Sequence, residues 1–122
     1  MAKIECFEDL QSWQKARKLA NTIYDLSEDG KFSKDYELRN QIRRAAGSAM
    51  HNIVEGFDAG TNPEFIRFLR MARRSASEVQ SQLYLALDRQ YITENDRIRA
   101  YNLATEVKKL INGMIGYLRR AS

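Results

Sequence analysis

An all-α protein, built as an antiparallel up-and-down four-helix bundle in a single domain spanning 1–122, is what three features of this 122-residue chain predict. Apolar residues recur at steps of three and four through four separate stretches, the period of one helix face. One proline and six glycines leave few breaks in so long a chain, which favours long helices. The connections between the periodic stretches are short, and short connections set successive helices antiparallel. The length suffices for a hydrophobic core without a metal or a disulfide.

Residues 1–8 read as a lead-in. The first helix covers 10–29, with Leu10, Trp13, Ala16, Ala20, Ile23 and Leu26 on one face and Lys15, Arg17 and Lys18 opposite. Asp9 is placed to cap it and Gly30 to stop it, and 31–34 is a connection in which Ser33 can cap the next helix. The second helix covers 35–58. Its stripe is Leu38, Ile42, Ala45, Ala46, Ala49, Met50, Ile53 and Phe57, and its run of small residues invites a neighbouring helix to come close. A loop at 58–63 combines Gly60, a capping Asn62 and Pro63 at the first helical position. The third helix covers 63–90 and buries Phe65, Phe68, Leu69, Ala72, Ala76, Val79, Leu83 and Ala86. Thr93 with Asp96 resembles a capping box for the fourth helix, 94–120. Its seam is Ala100, Leu103, Val107, Leu110, Met114 and Tyr117, with Ala104, Ile111, Ile115 and Leu118 as a second row. Helices three and four thus carry apolar rows wider than a four-helix core needs, with Ile66, Leu85, Ile111 and Ile115 in the surplus. A row that cannot face its own core is expected to face another copy, so a homo-oligomer is expected.

No catalytic constellation is present, so the chain reads as no enzyme, with no cofactor and no small-molecule substrate. His51 is the sole histidine, which excludes multi-histidine metal sites within one subunit. Ser48 stands where a helical carboxylate-bridged centre would need glutamate, three residues before the histidine. The single cysteine, Cys6, cannot form an internal disulfide, which fits a reducing cytoplasm. No apolar run approaches the ~20 residues that a membrane span needs, and the first ten residues lack a signal-peptide pattern. Ser75, Glu78 and Gln82 fall at spacings of three and four beside the stripe of helix three, as buried polar groups that fix helix register would, with Arg43 as the expected partner of Glu78.

Charge is the functional signal. Net charge is +4. From Phe65 to Ser77 there are four arginines, Arg67, Arg70, Arg73 and Arg74, and no acid. Arg67, Arg70 and Arg74 fall within about 60° on a helix wheel. From Arg39 to Val54 there are three more, Arg39, Arg43 and Arg44, again with no acid. Guanidinium groups suit phosphate, so these seven arginines are the candidate contacts to RNA or DNA. The rival reading is a scaffold for protein–protein assembly, its arginines consumed between subunits.

The order of motifs carries a resemblance. W-Q-K-A at 13–16 is followed by Q-I-R-R-A-A at 41–46, then N-I-x-E-G at 52–56, then E-F-I-R-F-L-x-x-A-x-x-S at 64–75, with Glu78 and Gln82-Leu83 beyond. This resembles the bacterial S23-type proteins encoded within intervening sequences of the large ribosomal RNA gene, and the related accessory proteins of diversity-generating retroelements. The resemblance implies a four-helix up-and-down bundle, assembled as a ring-forming pentamer with a basic surface. The retroelement relatives bind nucleic acid and a reverse transcriptase. The chain departs from the pattern twice: it lacks the family's proline in the middle of helix two, reading Ser48-Ala49-Met50-His51, and it has Arg74 where glycine is common.

Overall fold

The structure, a computed structural model, describes residues 4–121. The first three positions of the expected lead-in lie outside the described residues. A 3-10 turn at Phe7–Asp9 leads into α1 (Gln11–Leu26), α2 (Gly30–Lys34), α3 (Tyr36–Phe57), α4 (Asn62–Asp88) and α5 (Glu94–Ala121). No strand occurs among the described residues. The four long helices form the expected all-α bundle. Each packs on the next along the chain, and α5 closes against α1, where the ammonium of Lys15 meets Glu106 at 3.0 Å.

The α3/α4 interface is the most extensive, and its residue types explain this. Ala45, Ala46, Ala49 and Gly56 of α3 are buried, as are Ala72 and Ala76 of α4, so the two backbones approach closely. At Gly56 the approach leaves no room for a side chain: a Cβ there would lie 2.8 Å from Phe65 Cδ1 and 3.1 Å from the Phe65 carbonyl oxygen.

Several boundaries differ from expectation, each for a visible reason. Gly30 does not stop the first helix. That helix ends at Leu26, and the Ser27 hydroxyl turns back to the Ile23 carbonyl at 2.7 Å. Gly30, at φ +65°, instead starts the short α2 where a plain connection was expected. The drive is Phe32, which is fully buried and stacks on Tyr91 at 5.3 Å between ring centroids. Asp9 caps nothing; α1 starts after a buried Leu10, and Asp9 Oδ2 accepts from the Cys6 thiol instead. Ser33 bonds within α2 to the Gly30 carbonyl, and Asp35 caps α3. Thr61, not Asn62, caps α4, accepting from the Glu64 amide, so Pro63 falls second in the helix. The Thr93–Asp96 box forms reciprocally, each side chain accepting from the other's amide.

The faces also shift. The inner row of α5 is Ala100, Leu103, Ala104, Val107, Ile111, Ile115 and Leu118; Leu110 and Met114 are half-buried and Tyr117 is exposed. Ile66 is buried as well, while Phe65 and Phe68 are half-buried at the edge of α4. Three of the four residues expected to face another copy therefore face the bundle's own core, and only Leu85 remains outside.

One corner joins both ends of the bundle's chain reversals. Asp35 Oδ1 accepts from the Leu38 amide at 3.1 Å, and Oδ2 accepts from the Tyr91 hydroxyl at 2.9 Å. The amide bond first, then the Tyr91 bond, hold the Asp35 carboxyl below the usual aspartate range. A depressed folded value means that the carboxylate's stabilisation is full above the unfolded pKa of about 4 and is lost as pH falls through the folded value. The denaturation midpoint should therefore drop as acid is added below that point. Asn caps helices as well as Asp does, so Asp35→Asn should flatten that acid-side slope while keeping α3 capped. An unchanged slope in a denaturant titration across pH would remove this role.

Candidate nucleic-acid interface

The basic face is built by the stripe that α4 buries. Because Ala72, Ala76, Val79, Gln80 and Leu83 point inward, Arg70, Arg74, Ser77 and Ser81 are turned to solvent. Arg70, Arg73, Arg74 and Ser77, joined by Lys108 from α5, line a shallow concavity of about 360 Å³. Arg73 Nη1 donates to Asn112 Oδ1 of α5 at 2.6 Å. Lys108 Nζ donates to Gln80 Oε1 at 3.0 Å. Arg70 and Arg74 make no hydrogen bond or ion pair among the described residues. Four cations thus share one groove whose lining includes no carboxylate. Like charges so placed repel, and the field they create favours an anion.

Lys108 was not among the sequence candidates. It lies more than thirty residues from the arginines in the chain, and only the α4/α5 packing brings it there. Gln80 was missed too. It is the buried polar tie that Glu78, Gln82 and Ser75 were expected to provide: its Nε2 donates to Thr105 Oγ1 at 2.9 Å and to the Tyr101 carbonyl at 3.3 Å. Glu78 is exposed, and Ser75 bonds to Ser48 across α3/α4 at 3.0 Å.

The other candidates divide. Arg67 is paired with Glu64, one residue before the acid-free stretch, at 3.0 Å, and its guanidinium lies 4.5 Å from the Phe68 ring centroid. Arg39 donates to the Ser33 carbonyl at 2.9 Å and covers Tyr36. Arg43 does not pair with Glu78. Its Nε donates to the buried Ser27 hydroxyl at 2.8 Å, and its guanidinium covers the Tyr24 ring at 4.5 Å, which ties α3 to the end of α1. Both are structural ties. Arg44 is exposed but lies on another face, beside a second concavity of about 410 Å³ between α3 and α4 that also includes Glu78, Gln82 and Gln41. The seven arginines are therefore not one surface; Arg70, Arg73 and Arg74 are.

Among the described residues no group of three His, Cys, Asp or Glu side chains is placed to hold a metal, and no helix is long and apolar enough to cross a membrane.

Comparison with known proteins gives three findings. No curated protein matches the chain. A crystal structure from Bacteroides thetaiotaomicron, described as a protein of unknown function from the S23 ribosomal protein family, superimposes with a TM-score of 0.76 at 28% identity, covering 86% of this chain and 95% of that one. The family model for the 23S rRNA-intervening sequence protein matches residues 8–113. With the bundle, the motif order and that match in agreement, the chain belongs to the 23S rRNA-intervening sequence protein family.

Proposed function

We propose that the protein binds RNA or DNA through phosphate contacts in the α4/α5 groove, with Arg70 and Arg74 as the principal contacts, Arg73 and Lys108 beside them, and no reaction catalysed on the ligand. The observation that supports this most is the pair of solvent-facing guanidiniums, Arg70 and Arg74, without an acidic partner among the described residues in a groove that two further cations flank. Arginine forks match phosphate oxygens in pairs, and such contacts carry no sequence preference of their own. Each contact releases a counterion, so affinity is expected to fall with salt at a log–log slope of about −2 to −3 for three or four contacts to a single strand. A binding titration of the intact protein against a labelled oligonucleotide across a salt series measures this. Absent or salt-independent binding would overturn the reading.

The second reading is a homo-oligomeric scaffold. Among the described residues, Leu85 at 50% exposure and Ile98 at 42% are the large aliphatic side chains exposed outside the core, and a ring of copies would cover such residues. In that case the free arginines meet another subunit, and reversing their charge changes the mass of the particle rather than its affinity for oligonucleotides.

A further inference from the structure

Past the cationic concavity, the solvent face of α4 carries an aromatic side chain. Tyr84 lies seven residues, two helical turns or about 10 Å, beyond Ser77 along α4. Its ring meets Tyr101 of α5 edge-on, with centroids 5.8 Å apart. The Arg97 guanidinium lies 4.8 Å from the Tyr84 centroid and 5.7 Å from that of Tyr101, and Arg97 Nη1 donates to the Tyr84 hydroxyl at 3.3 Å. Glu94 in turn anchors Arg97. Tyr84 is thus braced on one side, yet it remains 47% exposed. A core aromatic would be covered, and a merely solvated one would not be held by two neighbours.

Between this ring and the cations α4 turns Ser77 and Ser81 to solvent, beside the half-buried Thr105 of α5, which bonds to the buried Gln80. The one acid on α4 between Arg70 and Tyr84, Glu78, lines the concavity on the α3 side. Glu106 of α5 is held by Lys15 of α1. Asp88 stands one turn past Tyr84, away from the cations, where it bounds the track. A strip with cations at one end and a held, half-exposed aromatic at the other matches the two needs of an unpaired strand: phosphates to neutralise and bases to stack. A duplex satisfies only the first, because its bases are already stacked and cannot reach a side chain.

We propose that Tyr84, braced by Tyr101 and Arg97, is a stacking platform for an unpaired base, so that the α4/α5 groove is selective for single-stranded nucleic acid. This rests on the phosphate-contact reading of the same groove. The test compares the intact protein with Tyr84→Ala, Tyr84→Phe and Tyr84→Trp, using labelled oligo(dT) and an oligo(dA)·oligo(dT) duplex of equal length across a salt series. Tyr84→Ala should lose about 5- to 150-fold in affinity for oligo(dT), with the salt slope unchanged because the phosphate contacts remain. Tyr84→Phe should retain the affinity, and duplex binding should not respond to any of the three. In Tyr84→Trp the new surface indole should be quenched on adding oligo(dT). If the parent protein binds with the expected salt slope but Tyr84→Ala binds oligo(dT) equally well, the platform is wrong and the phosphate groove stands. If the parent protein binds neither probe, both readings fall. Circular dichroism of Tyr84→Ala confirms that the exposed substitution leaves the bundle folded; a folded variant with parent affinity still counts against the platform.

Discussion

Gly56→Val should lower the free energy of unfolding by about 3 kcal/mol, the upper end of the overpacking range. The first carbon added would already stand 2.8 Å from Phe65 Cδ1 and 3.0 Å from Phe68 Cβ, and the backbone oxygen of Phe65 at 3.1 Å cannot swing aside. The extra methyls have to push α4 away from α3 at the most extensive interface of the bundle. Intrinsic propensity works in the other direction, since every side chain except proline's is a better helix former than glycine, by up to about 1 kcal/mol. Gly113 separates the two effects. It lies within α5 with nothing within 4 Å of where a Cβ would stand, so Gly113→Ala should stabilise by about 0.5–1 kcal/mol. Denaturant midpoints at constant slope measure both. A Gly56→Val midpoint equal to the parent's would mean that α3 and α4 can part at no cost.

Reversing Arg70 and Arg74 together to glutamate should abolish binding to oligonucleotides and leave the bundle folded. Losing two phosphate contacts weakens binding by about 25- to 60-fold near 0.1 M salt through counterion release alone, and the two new carboxylates add repulsion. Both side chains are exposed and lie off the buried stripe, so their removal opens no cavity. Arg67→Glu is the matched control. Arg67 is on the same helix and equally exposed, but its charge is already answered by Glu64, so its reversal should shift affinity only slightly. Equal losses at Arg67 and at the Arg70–Arg74 pair would mean that net charge, not this groove, governs binding. Light scattering of the double variant completes the measurement: a fall in particle mass, without a change in oligonucleotide affinity, would move the arginines into a subunit contact.

The fold was legible wherever one periodic signal spoke alone. Ile42, Ala46, Ala49 and Ile53 recur at steps of four, three and four, and all four are buried. In α5 two apolar rows lie about 100° apart, and periodicity cannot rank them. Packing does: the branched row of Ile111 and Ile115 turns inward, while Met114 and Tyr117, which tolerate a wet edge, take the rim. The short α2 left no periodic trace because a single side chain, Phe32, anchors it. The basic site was legible in half. A cluster of arginines without nearby acids marks Arg70, Arg73 and Arg74, but a scan for opposite charges overlooks neutral partners. Arg43 is consumed by a serine hydroxyl and a tyrosine ring sixteen and nineteen residues earlier, and nothing in the charge pattern announces that. Lys108 enters the groove, and Tyr101 meets Tyr84, only once α5 lies on α4.

The closure of α5 against α1 sets how this chain has to search for its structure. Three of the four long interfaces join successive long helices across connections 27–35, which holds α2, 58–61 and 89–93, and the entropy of closing such short loops is small. The α1/α5 seam joins the first and last long helices, and its Lys15–Glu106 pair links residues far apart in the sequence. Local topology of this kind belongs to the fast-folding class. It concentrates the non-local cost in one seam, whose partners have to wait for α3 and α4 to bring them within reach.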